Sequence, residues 1–185
     1  METLEAINKR TSLKTHLSSR EVEPEKIAKI LGAARLAPSA RNTQPWRFIV
    51  VKGKKNVETV VTRAFFELNQ VVREAPVVII ACANPSDDVI HDGKEYYLFD
   101  VGLAVENMLL AATDLGLVMH PMTAVNEDEL KRVLHIPDEV RFVVATPLAY
   151  PTEGPYEEAA RERLGQRTRK SLKEVVYSNV WGKSF

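Results

Sequence analysis

The order of helical and strand patterns in the sequence predicts a mixed fold of the α+β or α/β class. Helical patterns come first, and strands and helices then alternate through the rest of the chain. A continuous apolar run in the middle, rich in β-branched residues, indicates a strand buried on both faces. The 185 residues contain no repeat and no second hydrophobic core, so we expect one domain over residues 1–185.

Two helices are predicted in the first part of the chain. Residues 2–8 have helical periodicity. A second helix begins at Pro24, because proline suits the first helical turn, and it places Ile27 and Ile30 at core spacing. It ends before Pro38, since the residue preceding a proline is disfavoured in the helical conformation.

The middle of the chain alternates strands with a helix. Residues 46–51 predict a strand, and residues 56–73 predict a helix. The run APVVIIACA at residues 75–83 predicts the strand that is buried on both faces. Residues 84–93 contain Asn, Pro, Asp and Gly and predict a loop.

A long helix is predicted over residues 97–115, and Gly116 is placed to end it. Its apolar residues wrap most of the helix: Phe99, Leu103, Val105, Met108, Leu109, Ala112 and Leu115. A helix of this kind must be buried on nearly every side. In a chain this short it is either central to the fold or shared with a second subunit.

Three more elements complete the predicted fold. A short strand near residues 117–120 precedes a helix over residues 126–134. The start of that helix is marked by Asn126 and, three residues on, by Glu129. The last strand covers residues 141–149, and the chain beyond it is polar and charged.

Charge and composition argue against several classes of function. Twenty-five basic residues balance twenty-five acidic ones, so no overall field would attract nucleic acid or an anionic membrane. The N-terminus has no hydrophobic leader, and no apolar run is long enough to span a membrane, so we expect a cytoplasmic protein. The single Cys82 lies in an apolar run and is expected to be a buried small residue.

The common motifs of nucleotide-binding proteins, metalloenzymes and serine hydrolases are missing. The chain has neither a G-x-G-x-x-G loop after a strand nor a Walker A loop. Its four histidines are scattered, without the spacing of metal ligands, and there is no G-x-S-x-G sequence. Hydrolytic or metal-based catalysis therefore has little support.

Two basic clusters could bind a phosphate group. Arg10, Ser12 and Lys14 occupy alternate positions, so an extended segment would point them to one side. Two cations beside a hydroxyl suit a phosphate, because hydrogen bonds between charged groups are strong. Arg167 and Arg169 repeat this spacing near the other end of the chain. Each cluster taken alone also fits a solvated surface.

The connection APSARNTQPWRF at residues 37–48 carries more polar and planar groups than a helix-to-strand connection needs. Ser39, Asn42 and Gln44 supply donors and acceptors that suit the edge of a planar heterocycle. The alternative is structural, with an Asn turn after the helix and Trp46 filling the core. From the residues alone both interpretations stay open.

Taken together, these segments resemble the nitroreductase family of FMN-dependent flavoproteins. The connection is similar to the family's A-P-S-x-x-N-x-Q-P-W-x-F signature, and R-T-S-L-K resembles its R-R-S-x-R segment. Further matches follow in the same order: N-Q-V-V-R-E-A-P-V-V-I-I, G-L-A-V-E-N-M-L-L-A-A-T-D-L-G-L, L-H-I-P, P-L-A-Y-P and R-T-R-K-S-L-K-E-V-V. The resemblance covers almost the whole chain.

The resemblance implies an α+β fold whose central, mostly antiparallel sheet is flanked by helices, in an intertwined homodimer. Two FMN molecules would lie at the dimer interface, each touched by both chains. The phosphate would contact the basic clusters. The flavin and ribityl chain would contact residues 38–40 and 42, with residue 69 or 70 on the ribityl or pyrimidine side, and the ring would meet the backbone at 121–123. The implied cofactor-binding residues are Arg10, Thr11, Ser12, Lys14, Pro38, Ser39, Ala40, Asn42, Asn69, Gln70, Pro121, Met122, Thr123, Arg167 and Arg169.

The chain departs from the family pattern at a few positions. Thr11 replaces the second arginine of R-R-S, and Lys14 stands where the family usually has another arginine. The Lys14 ammonium cannot form the bidentate contact of a guanidinium. Ala149 replaces a glycine, and Ser171 replaces a proline.

The resemblance implies an oxidoreductase that takes a hydride from NADH or NADPH and passes electrons to a small acceptor, such as a nitroaromatic or a quinone, by a ping-pong mechanism. Because the flavin performs the chemistry, no catalytic acid or base is assigned. The alternatives are a flavin storage or sensor module, and a relative with other flavin chemistry such as dehalogenation or enoyl reduction. Whether Arg41 and Arg47 meet flavin, substrate or solvent is left open.

Overall fold

The structure, a computed structural model, describes residues 1–152 and 167–185. Contacts divide the chain into two compact units, residues 1–153 and 154–185. The helices of the first unit are α1 (Thr3–Lys9), α2 (Pro24–Arg35), α3 (Lys54–Ala64), α4 (Tyr97–Asp114) and α5 (Glu127–Leu134). Its strands are β1 (Trp46–Lys52), β2 (Val77–Ala83), β3 (Ile90–His91), β4 (Lys94–Glu95), β5 (Val118–Met119) and β6 (Arg141–Ala149). Among the described residues, 3-10 segments cover Ala40–Asn42, Glu67–Glu74 and Pro85–Asp87, and the second unit contains the short helix α6 (Leu172–Val175).

The central sheet has the strand order β1-β2-β6-β5, and every neighbouring pair is antiparallel. Strands β1 and β2 pair along their whole length, from Trp46 opposite Ala83 to Lys52 opposite Val77. A separate two-stranded sheet joins β3 and β4. The α+β class with a mostly antiparallel sheet flanked by helices is therefore confirmed.

All seven residues of β2 are buried, as the apolar run predicts. Successive side chains of a strand point to opposite faces. Val77 and Ile79 accordingly belong to one core cluster, which includes buried residues of α2 and α4. Val78 and Ile80 belong to a second cluster, with buried residues of α3 and α5. The sheet is thus the middle layer between two layers of helices.

The helix predicted over residues 56–73 is wrong in its second half. The helix α3 ends at Ala64, and Phe65 is extended, with φ −93° and ψ 137°. Phe65 forms a β-bridge with Val125, which draws the chain away from the helix axis. The Gln70 side chain then donates from Nε2 to the carbonyls of Val61 and Phe65, at 2.9 and 2.6 Å. The 3-10 segment Glu67–Glu74 that follows the break is also helical, so the helical spacing of apolar residues continues beyond Ala64 and does not reveal where α3 ends.

Helix α4 has the predicted extent, but it is not buried on every side within this chain. Leu98 and Phe99 in its first turn are 49% and 61% exposed. The rest of the helix packs in the core, with Val101, Ala104 and Met108 fully buried, so it is central to the fold; its sharing with a second subunit stays a prediction. Gly116, with φ +74°, follows the helix as predicted.

Other boundaries agree closely with the sequence. The N-cap Asn126 accepts a hydrogen bond from the Glu129 backbone N–H at 3.1 Å, which confirms the predicted start of α5. Cys82 is buried, as expected. No helix in the described ranges is long and apolar enough to cross a membrane. The single domain over residues 1–185 and the cytoplasmic location stay predictions.

Candidate functional site

The segment that follows α1 packs against the edge of the central sheet and brings several predicted site residues together. Ser12 forms a parallel β-bridge with Met119, and its Oγ lies 2.9 Å from Nδ1 of His120. Lys14 Nζ donates to the Leu68 carbonyl at 3.0 Å and to Asn69 Oδ1 at 3.5 Å. We call Ser12, Lys14, Asn69 and His120 the N-terminal cluster.

Arg10 and Thr11 connect helix α1 to this cluster. Arg10 is the C-cap of α1, and its backbone N–H donates to the Ala6 carbonyl at 2.8 Å. Both residues are half-buried, whereas Ser12 is exposed. Arg10 therefore lies on the same short segment as the cluster residues Ser12 and Lys14, and this segment is anchored at α1 and at the sheet edge.

Asn69 is almost fully buried, at 3% exposure. Its Nδ2 donates to the Ala124 carbonyl at 3.1 Å, while its Oδ1 accepts from Lys14. The amide thus holds the Lys14 ammonium in place and ties it to the segment before α5. The neighbouring Gln70 uses its amide nitrogen on the end of α3, so its predicted contact with the cofactor would have to come from its other atoms.

Residues 120–123 continue the line of β5 along β6. Met122 is buried and exchanges two backbone hydrogen bonds with Ala145, at 2.8 and 3.0 Å. Pro121 and Thr123, on either side of it, are exposed. The sheet edge therefore fixes the backbone beside the N-terminal cluster and leaves two of the three predicted ring-contacting residues open.

His120 is a site residue that the sequence analysis missed. Its backbone N–H donates to Oγ1 of the buried Thr146 at 3.0 Å, and its ring contacts Ser12. Burial lowers the pKa of His120; the hydrogen bond with Ser12 raises it, and the Lys14 charge lowers it further. The imidazole is therefore neutral at pH 7. Its place directly before Pro121 was the one signal in the sequence.

The second group of predicted residues lies in residues 39–44, which we call the 39–44 loop. Arg41, Asn42 and Gln44 all have left-handed backbone conformations, with φ of 51°, 59° and 52°. The Gln44 N–H donates to Ser39 Oγ at 3.0 Å, which closes the loop on itself. Pro38 and Asn42 are exposed.

The loop is anchored by two carboxylates and by the core. The Ala40 N–H donates to Asp100 Oδ2 at 2.7 Å, and Thr43 Oγ1 donates to Asp88 Oδ1 at 3.0 Å. Trp46 is 7% exposed and packs in the core, so the structural interpretation of this tryptophan is confirmed. Arg47 forms an ion pair with Asp87 at 2.9 Å, which ties its side chain to the loop after β2.

Different elements hold the two groups. The N-terminal cluster is fixed by β5 and the 3-10 segment Glu67–Glu74, whereas the 39–44 loop is fixed by the first turn of α4 and by Asp88. Exposed apolar side chains accompany both groups. Leu36, Leu98 and Phe99 belong to the elements around the loop, and Phe66 and Leu68 to those around the cluster.

Arg167 and Arg169 belong to the second unit of the chain. Both are exposed, and Arg169 donates from Nη1 to the Thr168 carbonyl at 2.8 Å. The following helix α6 begins with a capping box in which the Ser171 N–H donates to Glu174 Oε2 at 2.9 Å. The phosphate contacts expected of the two arginines stay predictions.

Comparison with known proteins identifies the family to which this fold belongs. The family model described as the Nitroreductase family matches residues 7–93 and 62–150. These two segments together cover most of the first unit, including the N-terminal cluster and the 39–44 loop. The chain belongs to the nitroreductase family.

Individual relatives support the same family and show its range. A Methanothermobacter thermautotrophicus protein, named provisionally as an NADH dehydrogenase/NAD(P)H nitroreductase, is 36% identical over 84% of this chain and 80% of its own length. The crystal structure of a nitroreductase family protein from Clostridium novyi NT is 34% identical, with a TM-score of 0.76 over 100% of this chain and 97% of that one. An iodotyrosine deiodinase from Thermotoga neapolitana is 28% identical over 66% of this chain and 75% of its own length.

The half-buried His120 generates a prediction about stability and pH. A histidine whose pKa is lowered in the folded protein binds fewer protons there than in the unfolded chain. Its contribution to stability is therefore present above the ordinary histidine pKa of about 6.5 and lost as pH falls through and below it. We expect the free energy of unfolding to fall between about pH 7 and pH 5 in the wild type, and to fall less in His120→Asn.

The measurement is urea unfolding at a series of pH values. His91→Asn, at an exposed histidine, is the matched control and should keep the wild-type profile. A His120→Asn profile as steep as that of the wild type would contradict the placement of a neutral, half-buried imidazole beside Ser12.

Proposed function

We propose that the protein is an FMN-dependent oxidoreductase that accepts a hydride from NADH or NADPH and then reduces a small electron acceptor at the same site. The observation that carries this proposal is the N-terminal cluster, in which Lys14 and Asn69, both implied by the family pattern, are hydrogen-bonded although they lie 55 positions apart, with Ser12 on the same segment as Lys14. Use of one site by donor and acceptor in turn gives ping-pong kinetics.

The chemistry of the N-terminal cluster suits the phosphate of FMN. Lys14 donates to a carbonyl and to an amide oxygen, so these partners leave its positive charge uncompensated. The exposed Ser12 hydroxyl and the Arg10 guanidinium lie on the same segment and add donors for phosphate oxygens. His120, like the partners of Lys14, carries no negative charge, so it does not repel a phosphate group.

The 39–44 loop suits the flavin ring and the ribityl chain. Its left-handed residues turn the backbone sharply, and its anchors on α4 and Asp88 fix it in that form. Asn42 and Pro38 are open to a ligand. A fixed backbone with an exposed amide loses little freedom on binding, which favours affinity.

A homodimer explains why the two groups are held by different elements. In this proposal the loop of one subunit meets the N-terminal cluster of its partner, so that each FMN touches both chains. The exposed Leu98, Phe99 and Leu68 would then be covered at the interface, where apolar burial drives association. Arg167 and Arg169 complete the phosphate contacts in this proposal.

The residues of the chain bind and orient, and FMN, when bound, supplies the hydride-accepting ring. Asn69 holds the Lys14 ammonium at the phosphate end, and His120 positions the Ser12 hydroxyl. The fixed backbone at residues 121–123 lines the ring. No side chain is assigned as a catalytic acid or base.

A second candidate within the same chemistry is reductive dehalogenation, which the similarity to an iodotyrosine deiodinase favours. Both candidates need the same cofactor site and differ in the acceptor. A flavin storage or sensor module would share the site without turnover.

Reduction by a nicotinamide nucleotide tests this proposal. We expect the purified protein to be yellow and its flavin absorbance to bleach when NADH or NADPH is added without oxygen. Free FMN at the same concentration is the control. A colourless protein that cannot be reconstituted with FMN would contradict the proposal, and a bound flavin that neither nucleotide reduces would favour the storage module.

The phosphate contact of Arg169 can be tested separately. Arg169→Ala should raise the FMN dissociation constant about tenfold or more, because losing one partner of a charged hydrogen bond costs about 1.5–3 kcal/mol. Fluorescence titration measures the change. Riboflavin, which has no phosphate, should bind the variant and the wild type alike, and Lys173→Ala on α6 should leave FMN binding unchanged. An unaltered dissociation constant for FMN in Arg169→Ala would mean that Arg169 lies away from the phosphate.

A further inference from the structure

The 39–44 loop requires a specific means of stabilisation. Left-handed φ values are disfavoured for residues other than glycine, because the Cβ atom comes too close to the backbone. Here three of the four residues 41–44 adopt them, namely Arg41, Asn42 and Gln44. Such a conformation persists only when surrounding contacts hold it. The contacts at Ala40 and Thr43 therefore determine whether the loop keeps its shape.

Two aspartates provide these contacts. Asp100, 2% exposed in the first turn of α4, accepts the Ala40 N–H through Oδ2. Asp88 accepts Thr43 Oγ1 and the Val89 N–H through Oδ1, the latter at 2.7 Å. One carboxyl thus holds the start of the turn and the other holds its end.

The second oxygen of Asp88 lacks a donor. Asp88 Oδ2 is buried, and no residue in the described ranges donates a hydrogen bond to it. The two carboxyls hold loop residues only three positions apart, Ala40 and Thr43, and the negative charge of Asp88 acts on Asp100. Two ionised carboxylates repel each other and only accept hydrogen bonds, so their placement together is favourable only when one of them carries a proton.

The electrostatic surroundings place the proton on Asp100. Burial raises the pKa of Asp100, and the charge and hydrogen bond of Asp88 raise it further, while the Ala40 N–H lowers it. Asp88, in the loop after β2, is the charged side chain that acts on Asp100 among the described residues. Of the neighbouring arginines, Arg47 is paired with Asp87 and Arg41 is exposed.

We propose that Asp88 and Asp100 share one proton and that this protonated pair positions the 39–44 loop for ligand binding. When the proton is lost, two negative charges face each other in a buried place, and one carboxyl must withdraw from its contact with the loop. Asp88 and Asp100 are positioning residues, since they act through the loop backbone. The consequence for flavin affinity rests on the proposed function, whereas the shared proton and its effect on the loop do not.

The sign of the pH dependence follows from the raised pKa. A carboxyl whose pKa is raised on folding stabilises the protein below its unfolded pKa of about 3.9, and this contribution is lost as pH rises through the folded value. The loop is therefore held most firmly in acid and loosens as pH rises through the titration of Asp100.

Hydrogen exchange of the Ala40, Asn42 and Thr43 amides in the flavin-free protein tests the shared proton. Protection, corrected for the intrinsic rate, should be lost as pH rises through the titration of Asp100. Asp100→Asn and Asp88→Asn each supply an amide donor between the side chains, so both should keep the loop protected and remove the pH dependence. Glu106→Gln, at an exposed acid on the same helix, should behave as the wild type.

Riboflavin binding tests the consequence for the ligand site, because riboflavin carries no phosphate that titrates. Its affinity should fall over the same pH range in the wild type and stay constant in Asp100→Asn. Loop protection that is independent of pH in the wild type, or equally dependent in both Asn variants, would overturn the shared proton. Failure of the wild type to bind riboflavin or FMN at any pH would instead overturn the proposed function, and the exchange result would still stand.

Discussion

Burial of β2 on both faces is the constraint on which the rest of the structure depends. Seven consecutive apolar residues in the centre of a sheet require a helical layer on each side, because each face must be removed from water. Helices α2 and α4 cover one face, and α3 and α5 cover the other. The connection from α2 to β1 therefore passes from a helical layer into the sheet, beside the first turn of α4. The candidate loop lies at this crossing.

The candidate site depends on anchors that this framework supplies. The edge of the sheet fixes Ser12 and residues 120–123, and the break after α3 places Asn69 where it can hold Lys14. The first turn of α4 places a buried carboxyl under the 39–44 loop. Rigid elements thus position short, exposed segments, the usual arrangement of binding residues on a stable scaffold. The N-terminal cluster carries positive charge, and the 39–44 loop presents a fixed polar backbone. A ligand with a phosphate end and a planar end requires both.

The layers and most elements could be predicted from local sequence. Periodicity, the proline at the start of α2, the Asn126 cap and the apolar run of β2 are local signals, and each led to the observed element. The signature at residues 37–48 likewise led to the family and to the residues around the loop. The end of α3 could not be predicted, because the Val125 bridge and the Gln70 hydrogen bonds that end it come from outside the helix. The contact of Ser12 with His120 spans 108 positions, and that of Ala40 with Asp100 spans 60. Hydrogen bonds over such separations arise from tertiary packing, for which local patterns carry no signal.

In the proposed dimer, the loop of one subunit and the N-terminal cluster of the other form one FMN site. Mixed dimers test this arrangement directly. Arg10→Glu removes a cation from the cluster side, and Pro38→Trp blocks the loop side, so neither variant alone should bind FMN. A mixed dimer, isolated with two different affinity tags, contains one site with an intact cluster and an intact loop. We expect one FMN in each mixed dimer, measured by flavin absorbance. A mixed dimer that binds no FMN would show that cluster and loop act within the same chain and would contradict a site shared between subunits.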